Sequence, residues 1–167
     1  LALGGCSSAK STVKEWFGSK DDATGPAKLA EFGETAKFEV RWHADLGDSG
    51  ASLLQPALTK DAIYGVSGKG TLTRLDRATG KPVWRVESGI AVSGGVGSGE
   101  GLVLIGSDKG DVLAYGEDGT LRWKSRMSSE VLSAPQAAEG IVIVRSGDGR
   151  IAGLNAADRP GVHAVMV

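Results

Sequence analysis

The sequence predicts an all-β fold of repeated four-stranded antiparallel blades, and three observations predict it. Glycine is in excess, at 26 of 167 residues, against an average share of about 7%. The glycines follow no collagen register and fall between short apolar runs, the pattern of many short strands joined by tight turns. From residue 38 onward the chain also repeats itself, with a period near 40.

The repeats align on stretches that start at Leu54, Val92 and Leu132. In the first, "LQPAL" reads as a short inner strand, "DAIYGV" as the second, "TLTRLD" as the third and "KPVWRV" as the fourth. Between the second and third strands stand "SGKG", "SDKG" and "SGDG", small and acidic residues beside glycine that suit a hairpin turn needing positive φ. Gly70, Gly110 and Gly149 line up there, in steps of 40 and 39. Trp42, Trp84 and Trp123 line up in the fourth strand, in steps of 42 and 39, and give each blade a large apolar face for its neighbour. "AIYGV", "LVLIG" and "IVIVR" are nearly continuous apolar runs, expected of strands buried between neighbouring blades. A period near 40 made of short strands is the signature of a β-propeller blade.

The blades are assigned to residues 37–158. Where the first two repeats lead to a glycine and a tryptophan, the third ends in "DRPGVHAVMV". Residues 159–167 therefore read as an aberrant tail and point to a frameshift or a truncated gene product. Three blades do not close a ring, since propellers typically have about 4 to 8, and an unpaired edge invites pairing with another chain.

The opening stretch "LGGCSS" holds the single cysteine, Cys6. An apolar residue, two small residues and a cysteine fit a lipoprotein signal. Small side chains let a peptidase approach the extended backbone, and the thiol forms the thioether to diacylglycerol. Residues 1–5 are then the remnant of a signal peptide, and residues 6–36 a lipidated tether rich in Ser, Lys, Asp, Gly and Ala. Ser7 is not the aspartate that commonly retains lipoproteins in the inner membrane, so a Gram-negative host would place the protein on the periplasmic face of the outer membrane. Each buried methylene contributes about 0.8 kcal/mol and stable anchoring takes more than one chain, which a triacylated cysteine supplies. Within the tether, Trp16 is a candidate docking residue, and Asp21-Asp22 reads as a solvated charge pair.

Other chemistry finds little support. The net charge is −1, so no pull toward nucleic acid follows. One cysteine makes neither an internal disulfide nor a multi-cysteine metal site, and His43 and His163 have no partner at ligand spacing, reading as ordinary surface or sheet histidines. No apolar stretch of about 18 residues exists. "SGGVGSGEG" at 93–101 lacks the spacing and the following helix of a phosphate loop, and the "GKG" and "GKP" stretches lack the Ser/Thr of a Walker motif. "SGDG" lacks the acidic ladder of a calcium loop. No catalytic, cofactor-binding or metal-binding residue is assigned.

The cysteine motif at Cys6, the Ser-rich tether and repeats of the form "D-x-A-T-G-K-x-x-W" resemble the BamB family, the lipoprotein subunit of the outer-membrane β-barrel assembly machine. The likeness covers nearly all of residues 1–158, and "RSGDGRIAGLNAAD" is especially similar to the family's third repeat. It implies an eight-bladed propeller, of which about three blades are present, and a non-enzymatic scaffold without a cofactor. The implied partners are the periplasmic domains of the barrel-forming subunit BamA, other assembly-machine subunits, unfolded outer-membrane proteins and, through the lipid, the membrane. The family's partner-binding loop is expected after the third repeat, so only Cys6 is carried over as a functional residue. The repeat consensus is shared with quinoprotein dehydrogenases that carry pyrroloquinoline quinone. A fragment of such an enzyme, or an envelope lipoprotein propeller with another protein partner, are the alternatives.

Overall fold

A computed structural model describes Gly33, residues 36–157 and the backbone of Val165–Met166. The signal remnant, Cys6, Trp16, Asp21-Asp22 and His163 lie outside the described residues. The chain divides into two compact units, Leu1–Phe38 and Glu39–Val167, and the description below concerns the second.

The described residues of this unit are all-β, with twelve strands in three four-stranded antiparallel sheets. The first sheet runs β1 (Ala57–Leu58), β2 (Ala62–Val66), β3 (Thr71–Asp76) and β4 (Pro82–Glu87). The second runs β5 (Val92–Gly99), β6 (Leu102–Ser107), β7 (Asp111–Gly116) and β8 (Leu121–Arg126). In the third, β9 (Gln136–Ala138), β10 (Ile141–Arg145) and β11 (Ile151–Asn155) are followed by β12 (Val165–Met166). Each sheet is a meander in chain order, so each repeat builds one blade. Among the described residues there is no helix.

Register carries the repeat into three dimensions. Arg74 lies opposite Trp84 in the first sheet and Ala114 opposite Trp123 in the second. The equivalent position on β11, Gly153, lies opposite Val165. The backbone of Val165 therefore holds the register place that a tryptophan holds in the other two sheets. Among the described residues, β12 pairs with β11 at two positions, Ala152 with Met166 and Gly153 with Val165.

Two apolar layers join the sheets. Tyr64, Leu72 and Val66 of the first sheet pack against Val103, Ile105 and Tyr115 of the second. Leu104, Val112 and Ala114, on the other face of the second sheet, pack against Val142, Val144 and Leu154 of the third. β6 and β7 are thus buried on both faces, which is why "LVLIG" reads as an unbroken apolar run. "IVIVR" has the same composition but alternates exposed and buried along β10, because among the described residues only one of its faces meets another sheet.

The inner strand of the first repeat is shorter than "LQPAL" suggests and covers Ala57–Leu58 only. Pro56 has no N–H to donate to a ladder. The carbonyl of Gln55 turns instead to the second sheet and accepts the N–H of Val96 at 3.0 Å.

Candidate functional site

The tryptophans form one device used three times. Trp42 Nε1 donates to the carbonyl of Arg77 at 3.1 Å, Trp84 Nε1 to that of Glu117 at 3.0 Å and Trp123 Nε1 to that of Ala156 at 3.3 Å. Each acceptor is the residue immediately after the third strand of the following sheet. The indole of one repeat is therefore latched over the third-to-fourth turn of the next. Gly80 makes room for it, since a Cβ there would lie 2.4 Å from the Trp42 ring at a φ of +69°. Indole N–H groups that are partly buried need such an acceptor.

A second recurring contact sits at the turn between second and third strands. Gly70, Gly110 and Gly149 all adopt positive φ, between 85° and 94°. Their N–H groups donate to the carbonyls of Ser67, Ser107 and Ser146 at 2.9, 3.1 and 3.0 Å. Those serines are buried. Ser67 Oγ and Ser107 Oγ accept the N–H of Thr71 and Asp111, while Ser146 Oγ donates to Asp148 Oδ1 at 2.6 Å. Sequence reasoning singled out the glycines and missed the serines, although they recur at the same spacing.

The glycine-rich stretch 93–101 has a structural task. Most of it lies in β5, the inner strand of the middle sheet, whose backbone is pressed against the start of the third sheet. A Cβ at Gly97 would fall 1.6 Å from the carbonyl oxygen of Pro135. Inner strands converge, and only the absence of a side chain allows this approach.

Between the first two sheets, Tyr64 packs its ring 5.9 Å from that of Trp84, with the Arg74 guanidinium 5.9 Å from the Tyr64 centroid. Burial pushes the Tyr64 phenol above its usual range, and Arg74 partly counters it. The Tyr64 hydroxyl finds no hydrogen-bond partner among the described protein atoms.

The surface offers edges and one open face. β4 and β8 are outermost in their sheets, carry Val83 and Leu121 exposed, and display Arg85, Arg122, Lys124 and Arg126. On the third sheet, Ile141, Ile143 and Ile151 are 49%, 47% and 54% exposed. Their equivalents in the middle sheet, Leu102, Leu104 and Val112, are all buried. A groove of about 370 Å³ beside residues 45–48 presents Lys69 and Arg85 together with Asp45 and Asp48, a mixed charge that selects no ligand. His43 is exposed. No group of three or more His, Cys, Asp or Glu able to hold a metal is found among the described residues.

Sheets that repeat every forty or so residues, latched one to the next by a tryptophan, define a β-propeller repeat protein. The family model described as "Outer membrane protein assembly factor BamB" matches residues 68–163. BamB of Nitrosomonas eutropha is 37% identical over 164 residues, 95% of this chain and 40% of that protein. BamB of Burkholderia pseudomallei is 34% identical over 87% of this chain and 38% of its own length. The chain belongs to the BamB family of outer-membrane protein assembly factors and spans about two fifths of the length of these relatives. Among solved structures, BamB from Moraxella catarrhalis superposes with a TM-score of 0.57 at 25% identity, over 64% of this chain and 33% of that one. The quinohemoprotein alcohol dehydrogenase of Comamonas testosteroni superposes with a TM-score of 0.63 at 18% identity, over 77% of this chain and 23% of that one, and shares the fold.

Proposed function

We propose that the chain is part of a non-enzymatic scaffold of the outer-membrane protein assembly machinery. In this reading Cys6 carries the lipid that holds it to the periplasmic face of the outer membrane. Its partners are the periplasmic domains of BamA, neighbouring assembly subunits and unfolded outer-membrane proteins. The observation that carries the reading is the pair of open edges at β4 and β8. Each has no further strand partner among the described residues and offers its backbone groups to an extended segment, with exposed apolar and basic side chains to hold it by β-augmentation. Membership of the family whose relatives are named assembly factors supports the same reading.

The test is co-purification of the chain with the BamA periplasmic domains, with and without Val83→Asp and Leu121→Asp. Capture that these substitutions weaken is the expected result. Dye reduction that requires added pyrroloquinoline quinone and calcium would contradict it and favour the dehydrogenase reading. Labelling with radioactive palmitate, lost in Cys6→Ser, checks the tether.

A further inference from the structure

β8 is the outermost strand of the middle sheet, which packs against a sheet on either side. Its backbone phase is fixed at its end, where Met127 N–H donates to the Gly110 carbonyl at 2.7 Å. In an antiparallel ladder, alternate residues of a strand turn both backbone groups to the same neighbour. Trp123 and Ser125 share the parity of Met127 and bond inward to β7. Lys124 and Arg126 therefore aim N–H and C=O outward, where β8 meets no further strand among the described residues.

The side chains of these two residues share one face. Their cross-strand partners are Leu113 and Asp111, and Leu113 belongs to the layer shared with the first sheet. The Asp111 side chain is 9% exposed. Its Oδ1 lies 3.3 Å from Lys124 Nζ and 3.5 Å from Arg126 Nη1, and neither contact has hydrogen-bond geometry. One buried carboxylate thus stands between two cations whose side chains are 53% and 67% exposed. This group carries one positive charge in excess. Arg122 has a partner of its own in Asp118, at 3.1 Å.

The first sheet offers a contrast. Ser88 N–H donates to the Gly70 carbonyl at 2.9 Å, so by the same phase the outward-facing residues of β4 are Arg85 and Glu87. Glu87 accepts the Thr71 hydroxyl at 3.1 Å. One edge therefore shows two cations two residues apart, the other a cation and an anion. Nearer the third-to-fourth turn both edges are interrupted by a register shift, between Arg74 and Leu75 and between Ala114 and Tyr115. These pairs are the regular stretch of each edge.

Resting on the reading that open edges hold extended segments, we propose that β8 selects its partner by charge. The partner is an extended segment with acidic side chains two residues apart, adding antiparallel to β8 with the two acids opposite Lys124 and Arg126. Backbone pairing supplies the binding, and side chains at alternate positions supply the choice. Two further carboxylates on that face give each cation a partner, and opposite charges directly across two strands attract while like charges repel. β4 would instead prefer one acidic and one basic residue two apart.

The test titrates the Cys6→Ser chain into fluorophore-labelled peptides and reads anisotropy. The peptides share a Thr/Val background and carry, two residues apart at the centre, Asp and Asp, Asn and Asn, Lys and Lys, or Asp and Lys. The Asp/Asp peptide should bind more tightly than the Asn/Asn peptide by roughly tenfold, the combined effect of two cross-strand charge pairs. Lys124→Gln/Arg126→Gln should erase that difference, and Asp111→Asn, which removes the competing carboxylate, should widen it. N-methylation of the two Asp amides should abolish binding, which attraction between charges alone would survive. If the double variant loses its β-sheet circular dichroism, Arg126→Gln replaces it and should narrow the difference. Equal binding of all four peptides, lost on N-methylation, overturns selection by charge and leaves the edge reading standing. No binding of any peptide overturns the proposal and the edge reading with it. A preference for Asp that survives Lys124→Gln/Arg126→Gln overturns the proposal. So does a neutral peptide that binds better to that variant than to the parent, since the cations would then be guards of the edge.

Discussion

The second and third sheets are two copies of one design in different surroundings. In the second, β6 and β7 are buried along their whole length, with one face against Tyr64 and Leu72 and the other against Val142 and Val144. In the third, β10 is buried at every other residue. Local conformation is nevertheless the same in both: a positive-φ glycine in the turn, a buried serine before it, and a tryptophan latched onto the residue after the third strand. The difference teaches that the repeat specifies its own strands and turns, while burial is set by whether a next sheet is present. Repeat proteins divide their stability in this way, into a term for the unit and a term for its interface.

The largest effect should fall on the difference itself. Leu104→Ala removes a fully buried side chain from the layer between the second and third sheets and should cost about 2–5 kcal/mol. Ile143→Ala, at the same position one repeat on but half exposed, should cost about 1 kcal/mol or less. Urea titration of dilute protein measures both, and equal losses would break the comparison. Gly97→Ala comes next. The new methyl would meet the Pro135 carbonyl, and such overpacking costs about 1–3 kcal/mol. The same titration should show it, whereas Gly149→Ala tests φ alone, because its Cβ would meet open space.

Tyr64→Phe should be neutral or stabilising. It deletes a buried hydroxyl without a protein partner and keeps the ring against Trp84, and an unsatisfied buried group costs about 1–3 kcal/mol. A clear loss of stability would mean that the hydroxyl is bonded in solution.

The smallest effect is on acid stability. Asp148 is held below the usual carboxylate range by hydrogen bonds, first from Ser146 and then from Ser128. Ser128 Oγ lies 2.8 Å from Asp148 Oδ2, which ties the end of the second repeat to the turn of the third. A lowered folded pKa means that this contribution is present above the ordinary carboxylate pKa, near about 3.9, and is lost as pH falls through the lower folded value. Asp148→Asn should lower the melting temperature slightly at neutral pH and match the parent at low pH, so that the acid limb of the profile is flatter.

Much of this was legible in the residues. "SGKG", "SDKG" and "SGDG" marked the positive-φ turns because only a few residue types tolerate them, and the strands followed as the apolar runs between. The tryptophans were legible as packing groups, but their backbone acceptors were not, since Arg77, Glu117 and Ala156 share no side-chain chemistry. "SGGVGSGEG" was legible only as something other than a phosphate loop. Its crowding against Pro135 is a property of converging strands distant in sequence. "IVIVR" misled about burial because composition reports what a strand is built to bury, whatever lies beside it.

Native-state hydrogen exchange on dilute protein tests the central claim most directly, by comparing β6 and β7 amides with those of β10 and β11. A sheet covered on both faces should exchange more slowly than its half-open copy. Protection should therefore peak in β6 and β7 and fall in β10 and β11. Equal protection in both sheets would contradict the account.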